Sequence, residues 1–203
     1  MTRHHFSYLA LGDSYTVGEG IPIFESFPYQ LIQLLRKKGY HFNAPEIVAR
    51  TGWASSELAE RILHTTFSEK YDFVTLLIGV NNQYRKQPLQ EFESDFDFLL
   101  KKAIHFADEQ PSKVIVLSIP DWSVTPYAEG ADIMKVANEI DEFNAAKKTI
   151  ADKYHVQYID ITGGTRKMCD DLSLVASDGL HPSGKEYALW AAEVAERIES
   201  VIK

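Results

Sequence analysis

Two hydrophobic rhythms alternate along this chain. Short runs that are apolar almost throughout fall at 6–11, 46–49, 73–78, 113–119 and 156–161. Between and after them, apolar residues recur every three or four positions over 27–38, 55–64, 89–107, 131–154 and 186–202. The first pattern predicts strands and the second amphipathic helices. The clearest helix carries Phe92, Phe96, Leu99, Ala103 and Ala107 along one stripe, and the last carries Trp190, Val194, Ile198 and Val201. Ser183 and Glu186 have the spacing of a capping box at the start of that last helix. Strands that are apolar on both sides must be covered on both faces, and helices between them make parallel crossovers. The expectation is one α/β domain over 1–203, with a five-stranded parallel sheet between two helical layers. In such sheets ligands bind beyond the carboxyl ends of the strands. The segments at 12–14, 52, 79–82 and 120–122 each follow a strand and should meet on that rim.

Composition narrows the function. Of 203 residues, 45% are hydrophobic, enough for a sizeable core. The net charge is −8, from 29 acidic and 21 basic residues, which argues against a nucleic-acid or anionic-membrane surface. The expected partner is a small molecule, with no nucleic acid and no stable membrane anchoring; oligomeric state is not legible. Cys169 stands alone, so no internal disulfide can form. The apolar stretch near the N-terminus is short and runs into a turn, unlike a signal peptide or a membrane helix. These features read as a cytoplasmic protein.

The candidate chemistry sits at the two ends. Leu9-Ala-Leu-Gly-Asp-Ser14 delivers a serine into a loop as its strand ends. A serine in that position ordinarily caps a helix or closes a turn, but Gly12 and Gly18 flank it and allow close backbone approach. The segment lacks the lysine of a phosphate-binding loop, and Thr16 occupies the second glycine position of a GxSxG elbow. Near the other end, Asp178-Gly-Leu-His181 places a carboxylate and an imidazole three residues apart, in a turn-rich loop before a helix. A neutral histidine can take the serine proton while a carboxylate fixes its tautomer. Gly52 and Asn81, each following a strand, are candidate donors to an oxyanion. His41, His64, His105 and His155 carry no such context.

Taken together and in order, these segments resemble the SGNH/GDSL hydrolases, a family of esterases and lipases. Gly12-Asp13-Ser14 resembles the first block, with Tyr15 where many members have Leu. Gly52 matches the glycine block, Gly79-Val80-Asn81 the Gly-x-Asn block, and Asp178 with His181 the Asp-x-x-His block. The resemblance implies a flavodoxin-like three-layer α/β/α sandwich. It implies Ser14 as nucleophile, His181 as general base and then acid, and Asp178 as its orienting carboxylate. It also implies an oxyanion hole from the Ser14 N–H, the Gly52 N–H and the Asn81 side chain, with no cofactor and no metal. Asp13, although next to the serine, is structural in that pattern. One departure is Asn82, where many members have Asp.

Serine-dependent hydrolysis of a carboxylic ester through an acyl-enzyme is therefore the expected function. The alternatives are a carbohydrate O-deacetylase and a non-enzymatic binding domain with a relic site. Trp53, Tyr84, Trp122 and Tyr127 follow rim segments and are candidate substrate-pocket residues, able to line an acyl slot or stack on a sugar. Phe24 and Phe27 also follow the first block, and Phe27 reads as core.

Overall fold

A computed structural model describes residues 4–202. Five strands form one parallel sheet: β1 (Tyr8–Gly12), β2 (Glu46–Ala49), β3 (Phe73–Leu77), β4 (Val114–Leu117) and β5 (Gln157–Ile159), in the order β2-β1-β3-β4-β5. The long helices are α2 (Phe27–Lys37), α3 (Ser55–Leu63), α5 (Leu89–Phe106), α6 (Ile133–Lys153) and α8 (Gly184–Ile202). Helix α2 packs against α8, while α3, α5 and α6 pack in succession, which gives the two helical layers. Every residue of β1, β3 and β4 is buried, as uninterrupted apolar runs require; the edge strands β2 and β5 are partly open.

Three single-turn helices escape the apolar periodicity: α1 (Ser14–Val17), α4 (Val80–Tyr84) and α7 (Thr162–Thr165). Each follows a strand at its carboxyl end, and α1 and α4 carry residues of the candidate site. The capping box does not form. The Ser183 N–H donates to the Leu174 carbonyl at 2.6 Å, and the Glu186 carboxylate accepts from the Trp190 indole at 2.9 Å. A buried indole N–H needs an acceptor, and Glu186 supplies it one turn away.

Strand order decides where the site lies. The chain runs from β1 outward to β2, then crosses back to β3 on the other side of β1. The switch point falls between β1 and β3, where crossovers leave in opposite directions and open a crevice. Beneath it lies Lys147 of α6, fully buried, which donates to the carbonyls of Ile78 at 3.0 Å and Leu117 at 2.7 Å. It ties together the chain just past β3 and the end of β4. Burial lowers its pKa to about 7, against the pull of the nearby Asp13 carboxylate. Among the described residues, no helix is long and apolar enough to cross a membrane.

Candidate active site

The sequence after β1 sets up Ser14. Asp13 caps α1 by accepting from the Tyr15 N–H at 3.0 Å, and Gly18 closes that turn by donating to the Ser14 carbonyl at 2.9 Å. Ser14 therefore stands at the first position of a one-turn helix, where its N–H has no intrahelical acceptor. Asp13 faces inward; burial raises its carboxyl to about 7, with the Tyr15 N–H and the Lys147 charge pulling the other way. It works as a cap and does not touch His181.

The C-terminal loop brings the base. Ala176 N donates to the His181 carbonyl at 2.7 Å, which closes the loop on itself. Inside it, Asp178 Oδ1 accepts from the N–H groups of Leu180 at 2.9 Å and His181 at 3.0 Å. Oδ2 accepts the hydrogen bond donated by His181 Nδ1–H at 2.6 Å. That bond leaves Nε2 as an acceptor, and it faces the Ser14 hydroxyl at 2.9 Å. Burial pushes the Asp178 carboxyl upward, but its bonds from Leu180 and His181 outweigh this and hold it below the ordinary carboxylate range. Gly20 lies against this loop; a Cβ there would come within 2.8 Å of Asp178 Oδ2, so only glycine fits. Tyr15 packs its ring 4.9 Å from that of His181, which limits imidazole rotation.

Two loops complete the rim. Trp53 N donates to the Arg50 carbonyl at 3.2 Å, and Gly52 has φ +84°, the arrangement of a type II turn with glycine at its third position. Asn81 lies in α4, and its amide donates to the Trp53 carbonyl at 3.0 Å, locking this helix to the turn. Among the described residues, neither the Ser14 nor the Gly52 N–H has an acceptor. Ser14, Gly52, Asn81 and His181 all line one cavity of about 160 Å³.

The departure at Asn82 has a local explanation. Its Oδ1 accepts from the Ser55 N–H at 3.0 Å, and its amide donates to Ser55 Oγ at 2.7 Å and Gln87 Oε1 at 2.8 Å. Ser55 Oγ is itself committed as a donor to Asp95 at 2.7 Å. An ionised carboxylate could not donate to either oxygen, so an amide suits this pocket.

The aromatic candidates divide. Tyr84, Trp122 and Tyr127 form one wall of the cavity, with ring centroids 5.5–6.3 Å apart. The hydroxyls of Tyr84 and Tyr127 are bonded at 2.8 Å, and the Trp122 indole donates to Gln83 at 2.8 Å. Trp53 is a correction. It lines a separate groove with Ile47, Val48, Arg50 and Arg61. Its N–H and carbonyl are both bound by the turn and Asn81, which directs the ring toward edge strand β2. Phe24 lies by the α2–α8 groove and Phe27 is core. None of His41, His64, His105 and His155 lines the cavity. The sequence pattern had not singled out Val80 and Leu180, which also line it. Among the described residues, no cluster of His, Cys, Asp or Glu is arranged to hold a metal ion.

Comparisons with known proteins bear on the fold and the family. The fold is shared with the lipase/acylhydrolase from Enterococcus faecalis (18% identity, TM-score 0.75, 96% of each chain covered). It is also shared with the acetylxylan esterase Axe2 from Geobacillus stearothermophilus (18%, TM-score 0.73, 95% of this chain and 94% of that one). A third is the psychrotrophic esterase EstA from Pseudoalteromonas sp., solved with monoethylphosphonate as inhibitor (18%, TM-score 0.69, 97% and 98%). No curated protein matches the chain. The model of the GDSL-like Lipase/Acylhydrolase family matches residues 10–189. That stretch takes in every segment that meets at the cavity, and the chain belongs to the GDSL-like lipase/acylhydrolase family of hydrolases.

Proposed function

We propose that the protein hydrolyses carboxylic esters of short acyl groups through a Ser14 acyl-enzyme. The observation that carries this reading is the continuous chain from Ser14 Oγ through His181 to Asp178, at 2.9 and 2.6 Å, opening onto the cavity. Ser14 Oγ attacks the ester carbonyl as its proton passes to His181 Nε2. Asp178 stabilises the imidazolium that forms and keeps the ring oriented. Negative charge develops on the former carbonyl oxygen, beside the free N–H groups of Ser14 and Gly52 and the Asn81 amide. His181 then protonates the departing alkoxide, and a water molecule repeats the sequence to release the acid and restore Ser14.

The cavity volume supports a small acyl group. About 160 Å³ is close to the void that accommodates a single benzene ring. The wall of Tyr84, Trp122 and Tyr127 closes the slot, while the half-exposed rims of Tyr84 and Tyr127 leave room for the alcohol half outside. That open aromatic rim also suits a sugar as leaving group, which favours O-deacetylation as the second reading; Axe2 is an acetylxylan esterase. A relic binding domain would keep the cavity but not the reactivity.

The test compares nitrophenyl esters from acetate to octanoate with acetylated xylooligosaccharides, alongside fluorophosphonate labelling. Labelling at Ser14, turnover that falls with acyl length, and near-background rates for Ser14→Ala are expected. An unlabelled wild-type protein, or a Ser14→Ala variant with substantial turnover, would overturn the reading.

A further inference from the structure

Arg85 is not part of the cavity wall, yet it touches the turn that presents the Gly52 N–H. Its guanidinium donates through Nη2 to the Gly52 carbonyl and through Nη1 to Glu57 at 2.8 Å. The same Glu57 oxygen accepts the Ala54 N–H at 2.8 Å at the start of α3. The Arg85 N–H donates to the Asn81 carbonyl at 3.0 Å, so this arginine ends α4, the helix that bears Asn81. On the other side of the turn, the Thr51 hydroxyl donates to Glu19, five residues beyond Ser14. The Gly52 turn is thus suspended between the serine segment and the asparagine helix.

In a type II turn the middle peptide carries the Gly52 N–H, and a type I turn over the same residues differs chiefly in having that peptide reversed. A donor in such a turn holds its aim only if the turn is anchored to whatever carries the other donors. Planar, five-donor geometry lets one guanidinium hold a carbonyl and a carboxylate together, which an ammonium does less well. Both partners are exposed, about 41% for Arg85 and 40% for Glu57. An ion pair that open contributes little to folding.

We infer that Arg85 is a positioning residue for the oxyanion hole, fixing the Gly52 turn against the helix that carries Asn81. The inference rests on the ester-hydrolase reading above. Its signature is a loss of rate without a matching loss of stability or of substrate binding, since the hole acts mainly on the transition state.

The experiment uses Arg85→Met and Arg85→Lys in the full chain, with nitrophenyl acetate as substrate. Removing an oxyanion donor outright costs about 10²–10³ in kcat, so misaiming one should cost roughly 10- to 100-fold. KM should stay within about twofold in that case, as expected for a group acting only in the transition state. Inhibition by a trifluoromethyl ketone, whose adduct carries an oxyanion, should weaken in step with kcat/KM. Arg85→Lys should recover part of the rate by reaching the Gly52 carbonyl alone. Should Arg85→Met fail to fold, Arg85→Gln carries the same comparison. An unchanged kcat, a loss confined to KM, or a lysine variant no better than methionine would overturn the inference. A wild-type protein that takes no label at Ser14 sinks the enzymatic reading itself, whereas a labelled wild type with a fully active Arg85→Met sinks only the role given to Arg85.

Discussion

Asp178→Asn is a demanding test of the proposed mechanism, because it preserves shape while changing one donor–acceptor sense. Asp178 now accepts three hydrogen bonds: two backbone N–H groups at Oδ1, at 2.9 and 3.0 Å, and the imidazole at Oδ2, at 2.6 Å. An asparagine offers one oxygen and one NH₂. If the oxygen keeps the two backbone donors, the NH₂ faces His181 Nδ1 and all three contacts survive. If the oxygen turns to the ring, the NH₂ confronts two N–H groups and both bonds are lost. At about 1 kcal/mol per bond the first arrangement wins by at least ~2 kcal/mol, or ~30-fold. In that arrangement Nδ1 accepts and Nε2 carries the proton, so the ring cannot take the Ser14 proton. The imidazolium also loses its carboxylate. Enforcing the wrong tautomer in a serine triad lowers kcat about 10⁴-fold, or ~5.5 kcal/mol, and a loss of 10³–10⁴ is expected here. Steady-state hydrolysis of nitrophenyl acetate and the rate of fluorophosphonate labelling measure it, and nitrogen NMR of the His181 ring reads the tautomer. Asp178→Ala leaves the tautomer free and should fall no further. If the asparagine variant keeps more than about a tenth of the activity, Asp178 does not set the protonation of His181.

Asn81→Ala should lower kcat by about 10²–10³ with little change in KM; a loss carried by KM alone would place Asn81 in ground-state binding. Gly52→Ala forces a Cβ into φ +84° and should cost about 1–2 kcal/mol in urea unfolding. Relief of that strain turns the N–H away from the cavity, so kcat should fall beyond what stability explains; wild-type kcat in a folded variant contradicts the Gly52 assignment. Tyr127→Ala should open the acyl slot and raise octanoate turnover relative to acetate, and an unchanged ratio would mean that the aromatic wall does not limit chain length. Between pH 7 and 10 an unfolded chain protonates Lys147, whereas burial holds the folded amine near 7. Stability should therefore rise with pH across that window, by up to about 1.4 kcal/mol per unit. Lys147→Met should flatten the slope in urea titrations at pH 7, 8 and 9, and equal slopes in both proteins would refute the buried neutral amine.

What the sequence made legible follows the range of the interactions involved. The five strands and five long helices announce themselves because each repeats its own period over several turns or pleats, and their ends shift by only a few residues. The one-turn helices α1, α4 and α7 are too short to show a period. Lys147 sits in an amphipathic helix, where a lysine reads as solvent-facing; nothing local reveals two strand-end carbonyls waiting for it. Trp53 misled because adjacency to Gly52 says nothing of ring direction, which the bonds to Arg50 and Asn81 decide. Nothing local marks Arg85 either, because its partners Gly52 and Glu57 lie about thirty residues away in the chain. The capping box failed because the Ser183 N–H and hydroxyl are taken by the carbonyls of Leu174 and Ser173, partners that lie outside the helix.

By itself, the chain fixed its inventory of chemistry and its alternation of strand and helix, since both are written in residue types and local spacing. Only the tertiary structure decided that Ser14 and His181, 167 residues apart, stand within one hydrogen bond. The cause is the order of the sheet: placing β1 beside β3 opens a crevice at the switch point, and α8 returns to the layer of α2 so that the loop before it reaches that crevice. Sequence spacing carries no measure of that distance, because crossovers and packing, rather than any local preference, set which strand ends become neighbours.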